Sequence, residues 1–487
     1  MVPFKSDAVA VDAEDAKLRN LGYKPQFERV LGVFGDFSLG YSYMSPMAGL
    51  FALFAVAIST GGPAFFWTMP VVLLGQFLVC LVFAEVASAY PIAGGVYQWA
   101  RRVGGARWGF MTAWVYLLAL IATAAGIAAG GAPFIASLVG ADATPTFNAL
   151  AGIGIALVAI AANLAGTRVL ARVTELGVWT GLAGLAICGI YLLLFARAQP
   201  VGVLFDTFGH GEGGYVKPML AASLIGIWIF YGFEACGDLA EEVRGASRVI
   251  PRAMLLTVVC GGASALLMAM GLILAIPDLA GAASGKIADP ASAALVQGVG
   301  ATGSKIALLC LVAVVVSATA SVLASTSRLL FSLGRDRLVF GYRFLSRIEG
   351  ARGQPLGAIA VTAIATLLVL SVGLFSSDAA SQIISFATAG IYVAFQMVVL
   401  ACLAAGMRGW RPDGSFTLRE SGVVVRGLAL VFGVAAIVNL AWPRTPEAGW
   451  FANWLIVISI IVIVIAGLAQ MLAFVPAAPV GEQHAAE

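Results

Sequence analysis

Twelve apolar runs, each long enough to cross a hydrocarbon core, leave this chain of 487 residues few folds to choose from. They lie near 32–57, 63–88, 109–138, 148–166, 173–196, 218–238, 252–276, 304–333, 356–376, 380–405, 423–442 and 452–475. A helix needs about 20 apolar residues to cross about 30 Å of hydrocarbon. Backbone polar groups find no water there, so self-satisfied helices are the available element, and the ten-residue alternating strands of a barrel are missing. Charged residues are only 11% of the chain, against about a quarter in soluble domains. The sequence therefore predicts an all-α integral membrane protein of twelve transmembrane helices in a lipid bilayer. A polar segment, 1–29, precedes the membrane domain, 30–476, and a short tail, 477–487, follows it.

Lysine and arginine set the orientation. With the N-terminus placed in the cytoplasm, all 28 of them fall on the inner side except Arg197, Lys217, Lys286, Lys305 and Arg444. This bias predicts an inner (plasma) membrane protein with both termini cytoplasmic, and it makes the net charge of +3 a topology signal, not a nucleic-acid surface. The first 28 residues are polar, so no cleaved signal peptide is expected. The six cysteines lie within apolar runs without close pairing and read as small buried residues. No HExxH, CxxC, P-loop or nucleophile elbow occurs, and the only histidines are His210 and His484. Neither an enzyme nor a cofactor is expected.

Two runs depart from plain helix. Residues 228–252 read WIFYGFEACGDLAEEVRGASRVIPR: an apolar helix, then Gly232 among Phe230, Tyr231 and Phe233, then Glu234, Asp238, Glu241 and Glu242. Hydrocarbon penalises free backbone groups and carboxylates, so this stretch must face protein or a watery cavity. The first run contains Gly40-Tyr41-Ser42-Tyr43-Met44-Ser45-Pro46-Met47-Ala48-Gly49, where proline and glycine weaken the helix. Interrupted helices of this kind build polar sites at mid-membrane in secondary transporters, although a proline kink in a continuous helix is the plainer alternative for the first. A channel would show a repeated filter or a ring of like residues, and neither is visible.

The loop after the second run reads Ala84-Glu85-Val86-Ala87-Ser88-Ala89-Tyr90-Pro91-Ile92-Ala93-Gly94-Gly95-Val96-Tyr97-Gln98-Trp99-Ala100-Arg101. It resembles the AE.ASAYP.aGG.Y.WA signature of the amino acid–polyamine–organocation (APC) superfamily of permeases. The GFEA…AEEV…SRVIPRAM stretch resembles that family's sixth span and its loop, and Ser327-Arg328-Leu329-Leu330-Phe331…Gly334-Arg335-Asp336 resembles its end of span eight. The resemblance implies a leucine-transporter-type fold, with a five-plus-five inverted repeat, broken spans one and six and two peripheral helices. It also implies a substrate carboxylate held near Ser42, Tyr43, Met44 and Ser45, with free N–H groups expected at Tyr43, Met44 and Ser45. Phe230, Tyr231, Gly232, Phe233 and Glu234 would line the site on span six.

The implied activity is secondary active transport of an amino acid or related amine by alternating access. A permease for a polyamine, ethanolamine or choline-like amine, or an amino acid exchanger, is the alternative. Glu234 either senses an ammonium group or relays a proton, or it caps unwound backbone. Asp238 is a gate partner or a structural acid, Glu241 and Glu242 pair with nearby arginines, Glu85 orders the loop that follows it, and Glu175 pairs with Arg172. Ser317, Thr319 and Ser321 form a possible sodium site, set against hydroxyls that bond their own backbone. The coupling ion, proton or sodium, stays open.

Overall fold

Helices dominate because apolar residues occupy every face of most runs, as expected where lipid or other helices lie on all sides. The computed structural model describes residues 5–350, 353–374, 379–444 and 449–474, so the tail 477–487 lies outside the described residues. The chain opens with α1 (Lys5–Asn20), then α2 (Val33–Met44) and α3 (Pro46–Gly61), which share the first run. There follow α4 (Thr68–Ala89), a short α5 (Gly95–Gly104) in the signature loop, α6 (Ala106–Val139), α7 (Pro145–Leu164) and α8 (Thr167–Phe195). The sixth run breaks into α9 (Val216–Ala222), α10 (Leu224–Ile229) and α11 (Ala235–Asp238). Beyond it come α12 (Ala246–Ala275), α13 (Leu279–Ala283), α14 (Pro290–Arg335), α15 (Tyr342–Leu345) and α16 (Leu356–Ser371). The chain ends with α17 (Ala379–Met407), α18 (Gly422–Ala441), α19 (Trp450–Asn453) and α20 (Leu455–Phe474).

Among the described residues, eleven helices are long and apolar enough to cross a membrane. The run 218–238 is the exception: it yields a shorter apolar helix, Val216–Ile229, before the chain unwinds. The core is built by α6 against α14 and α17, and by α12 against α4 and α8, with α2 lying among α8, α12 and α14. Leu455–Phe474 lies at the rim, with only 6% of its span buried, and packs chiefly on α6 and α17. Beneath the two interrupted runs, Leu31 and Val243 form a parallel bridge, and Arg244 N–H donates to the Leu31 carbonyl at 2.9 Å. The approach to span one and the exit from span six are thereby tied together.

Candidate functional site

Span one is interrupted where Ser45 takes φ 42°, ψ 59°, in the left-handed region. Its N–H closes α2 by donating to the Tyr41 carbonyl at 2.9 Å, and Pro46 opens α3. The Gly49 N–H then donates to the Ser45 carbonyl at 3.1 Å. Helix geometry leaves over the N–H groups of Met47 and Ala48, since Pro46 has none. This places the free amides later than the expected Tyr43, Met44 and Ser45, because α2 stays helical through Met44 before the chain turns. The carbonyl end of α2 and the amide end of α3 meet at one point, bringing opposite dipole ends together.

Span six leaves its helix after Ile229, and Gly232 takes φ +119°. A Cβ at that position would lie 2.5 Å from the Met44 nitrogen, so the unwound part of span six touches the last turn of α2 backbone to backbone. Only glycine suits both that angle and that approach. The freed Gly232 N–H donates to Glu234 Oε2 at 2.9 Å. The Tyr116 hydroxyl of α6 donates to Asp238 Oδ2 at 3.0 Å and lies 3.4 Å from Glu234 Oε1. Both acids are wholly buried, and no ion pair reaches either among the described residues.

A narrow cavity of about 20 Å³, room for about one water molecule, sits at the break. Of the expected site residues, Tyr43, Met44, Ser45 and Tyr231 line it. Ser42, Phe230, Gly232, Phe233 and Glu234 are not part of its lining. Ser42 Oγ donates to the Thr174 carbonyl at 3.0 Å, and Phe233 packs edge-on to Phe83. The sequence reading missed Trp228 and a wall of α6 formed by Thr123, Gly126 and Gly130. The spacing of Gly126 and Gly130, one helical turn apart, was the available signal. The cavity shares Ala52, Gly130, Trp228 and Ile384 with a wider one of about 790 Å³, which runs to the chain end of the bundle bearing Ala143, Pro145 and Asp289.

Buried ion pairs cross the opposite, arginine-rich end. Arg328 Nε donates to Glu242 Oε1 at 2.8 Å, and Arg335 Nη1 to Glu241 Oε1 at 2.8 Å. Glu241 and Glu242 thus pair with arginines of α14, not with the arginines beside them in sequence. The Arg335 guanidinium lies 4.0 Å from the Tyr23 ring centre, and the Tyr23 hydroxyl donates to Asp336 at 3.0 Å. Burial, then the Asp336 charge, raises the Tyr23 phenol above its ordinary value, so it stays a donor there. Arg101 and Tyr97 also bond Asp336.

Three further groups of residues find the following partners. Glu85 does not order the loop after it: it pairs with Arg426 and accepts from Leu418 N–H at 2.8 Å, holding the segment before α18. No ion pair joins Glu175 to Arg172 among the described residues; Arg168 pairs with Glu28. Of the three hydroxyls of α14, Ser317 and Ser321 lie one turn apart on one face and both reach α2, whereas Thr319, two positions on from Ser317, faces elsewhere. Ser317 donates to Ser42 at 2.8 Å and Ser321 to the Leu39 carbonyl at 2.8 Å, while Thr319 bonds the Val315 carbonyl of its own helix at 2.8 Å.

A family model described as amino acid permease matches residues 31–466. The amino-acid permease BAT1 of Arabidopsis thaliana is 25% identical over 477 residues, covering 90% of each chain. Its homolog in Oryza sativa is 26% identical over 469 residues, covering 88% of this chain and 87% of that one. The thiamine transporter thi9 of Schizosaccharomyces pombe is 26% identical over 508 residues, covering 93% of this chain and 85% of its own. With nearly all of its membrane domain matched, this chain belongs to the amino acid permease family, within the APC superfamily.

Proposed function

We propose that this permease carries an amino acid across the inner membrane by alternating access, binding it as a zwitterion at the Ser45 break. The observation that carries the reading is the meeting of two half-helix ends. The amides of Met47 and Ala48 suit a carboxylate, and the terminal carbonyls of α2 suit an ammonium group a few ångströms away. A choline-like or polyamine substrate, or the thiamine that names one relative, has no carboxylate and leaves the α3 end unanswered. One-sided access supports the transport cycle: a cavity reaches the break from one end while buried ion pairs close the other. The arginine bias makes the closed end cytoplasmic.

Of the two coupling ions, the proton fits better. The Tyr116 phenol has one hydrogen and two carboxyl groups in reach, so bonding both takes one more hydrogen, at Glu234 or Asp238. Sodium would need hydroxyls that instead bond α2 and their own helix. Reconstituted protein, offered labelled amino acids and amines under separate proton and sodium gradients, tests the whole reading. Accumulation of an amino acid with the proton gradient is expected. Uptake of amines lacking a carboxylate in preference to amino acids overturns it.

A further inference from the structure

We infer that the transported amino acid carries an uncharged, apolar side chain, which lies against α6, and that Gly130 sets how large it can be. The inference rests on reading the cavity at Ser45 as the substrate site. The Ser45 hydroxyl in its lining is more than nine-tenths buried and bonds nothing, and the equally buried Tyr43 and Tyr231 hydroxyls have only the Thr123 and Thr388 hydroxyls near them. Thr123, which also lines the cavity, donates its hydroxyl to the Ala119 carbonyl instead. Buried polar groups rarely stay unpaired, so the Ser45 hydroxyl and the spare bonding capacity of the two tyrosines suit the polar groups of a ligand. These hydroxyls lie on the side of the break, where the backbone of the amino acid would sit.

The remaining wall is of another kind. Ala52, Gly126, Ile127, Gly130 and Ile384 present no side-chain donor or acceptor, and no charged residue lines the narrow cavity. A second charge on the substrate would be buried there without a partner, which is costly. Lysine, arginine, aspartate, glutamate and polyamines are disfavoured on this ground. Size is set at one position. A Cβ added at Gly126 would meet Ile384 at 3.1 Å and one at Gly131 would meet Val315 at 2.4 Å, so those glycines serve helix packing. A Cβ at Gly130 meets nothing within 4 Å, yet Gly130 lines both the narrow cavity and the wide one. It leaves open space where a side chain extending from the break would pass.

The test is competition in proteoliposomes by wild type, Gly130→Ala and Gly130→Val, against uptake of labelled alanine and leucine. Wild type should be inhibited by leucine, valine and methionine, and not by lysine, arginine, aspartate, glutamate or spermidine. Gly130→Ala folds, since its methyl has room and alanine favours helix over glycine. It should reduce leucine uptake relative to alanine uptake, and Gly130→Val should reduce that ratio by about tenfold or more, the scale of a lost methylene fit. Equal inhibition of wild type by charged amino acids, or an unchanged leucine-to-alanine ratio in both variants, overturns the inference while leaving an amino acid permease. No competition by any amino acid would instead overturn the zwitterion reading beneath it.

Discussion

At Gly232, one hydrogen atom in place of a methyl decides whether unwound span six can touch the end of α2. Gly232→Ala would force a Cβ to 2.5 Å from the Met44 nitrogen and strain a φ of +119°. The angle alone costs about 1–3 kcal/mol. We expect the variant to bind substrate at least tenfold more weakly, read by equilibrium binding, with a lowered melting temperature. Glu234 is a different case, because it bonds the Gly232 N–H but stays out of the cavity. A glutamine there can accept the same N–H, whereas alanine orphans it at a cost of about 1–3 kcal/mol. Glu234→Gln should therefore keep substrate affinity within about twofold, and Glu234→Ala should melt earlier; a large affinity loss in the glutamine variant would put the acid in contact with substrate. Residue chemistry was legible in the sequence here, and depth was not. Around an unwound segment no fixed period says which side chain faces inward, so Tyr231 reached the cavity while Phe230 and Phe233 went to the core.

At the arginine-rich end, buried ion pairs tie the stretch after α11 to α14. Arg328 and Glu242 are 1% and 2% exposed at the side chain, and they join the end of span six to α14. Breaking such a buried pair by removing one partner costs about 3–5 kcal/mol, while replacing both by apolar groups is often neutral. Arg328→Met alone should express poorly or melt early. Adding Glu242→Leu should recover the melting temperature yet slow exchange, because an apolar contact no longer rewards opening with hydration of two charges. A double variant that exchanges at the wild-type rate would make the pair purely structural. At this scale the sequence announced the acids of span six but not their partners. Those partners lie some 90 residues away on α14, and charge pairing across the bundle has no sequence period. The hydrophobic runs located the helices well, except at 218–238. There apolar content persists while glycine and the acids end the helix at Ile229.

Over the whole molecule, apolar length was enough to foresee the helical membrane fold, because it follows from the bilayer and not from side-chain detail. The cavity was not foreseeable, since it depends on which helices pack side by side. Its asymmetry makes the last prediction. If the arginine-rich end is cytoplasmic, the wide cavity faces outward, and the exposed turn at Ala143 and the exposed loop at Asp413 lie on opposite sides of the membrane. The native cysteines are buried or half-buried, so an impermeant maleimide should label the parent protein weakly. Ala143→Cys should be labelled in intact cells and Asp413→Cys only after the membrane is opened. Ser45→Cys, at the floor of the cavity, should follow Ala143→Cys and be protected by saturating substrate. Removing Arg335, which ties α14 to Glu241 and Tyr23, should move part of the Ser45→Cys labelling to the cytoplasmic reagent. Labelling of Asp413→Cys in intact cells would invert the orientation. Ser45→Cys labelling that ignores both substrate and Arg335 would mean that the cavity is not the transport path.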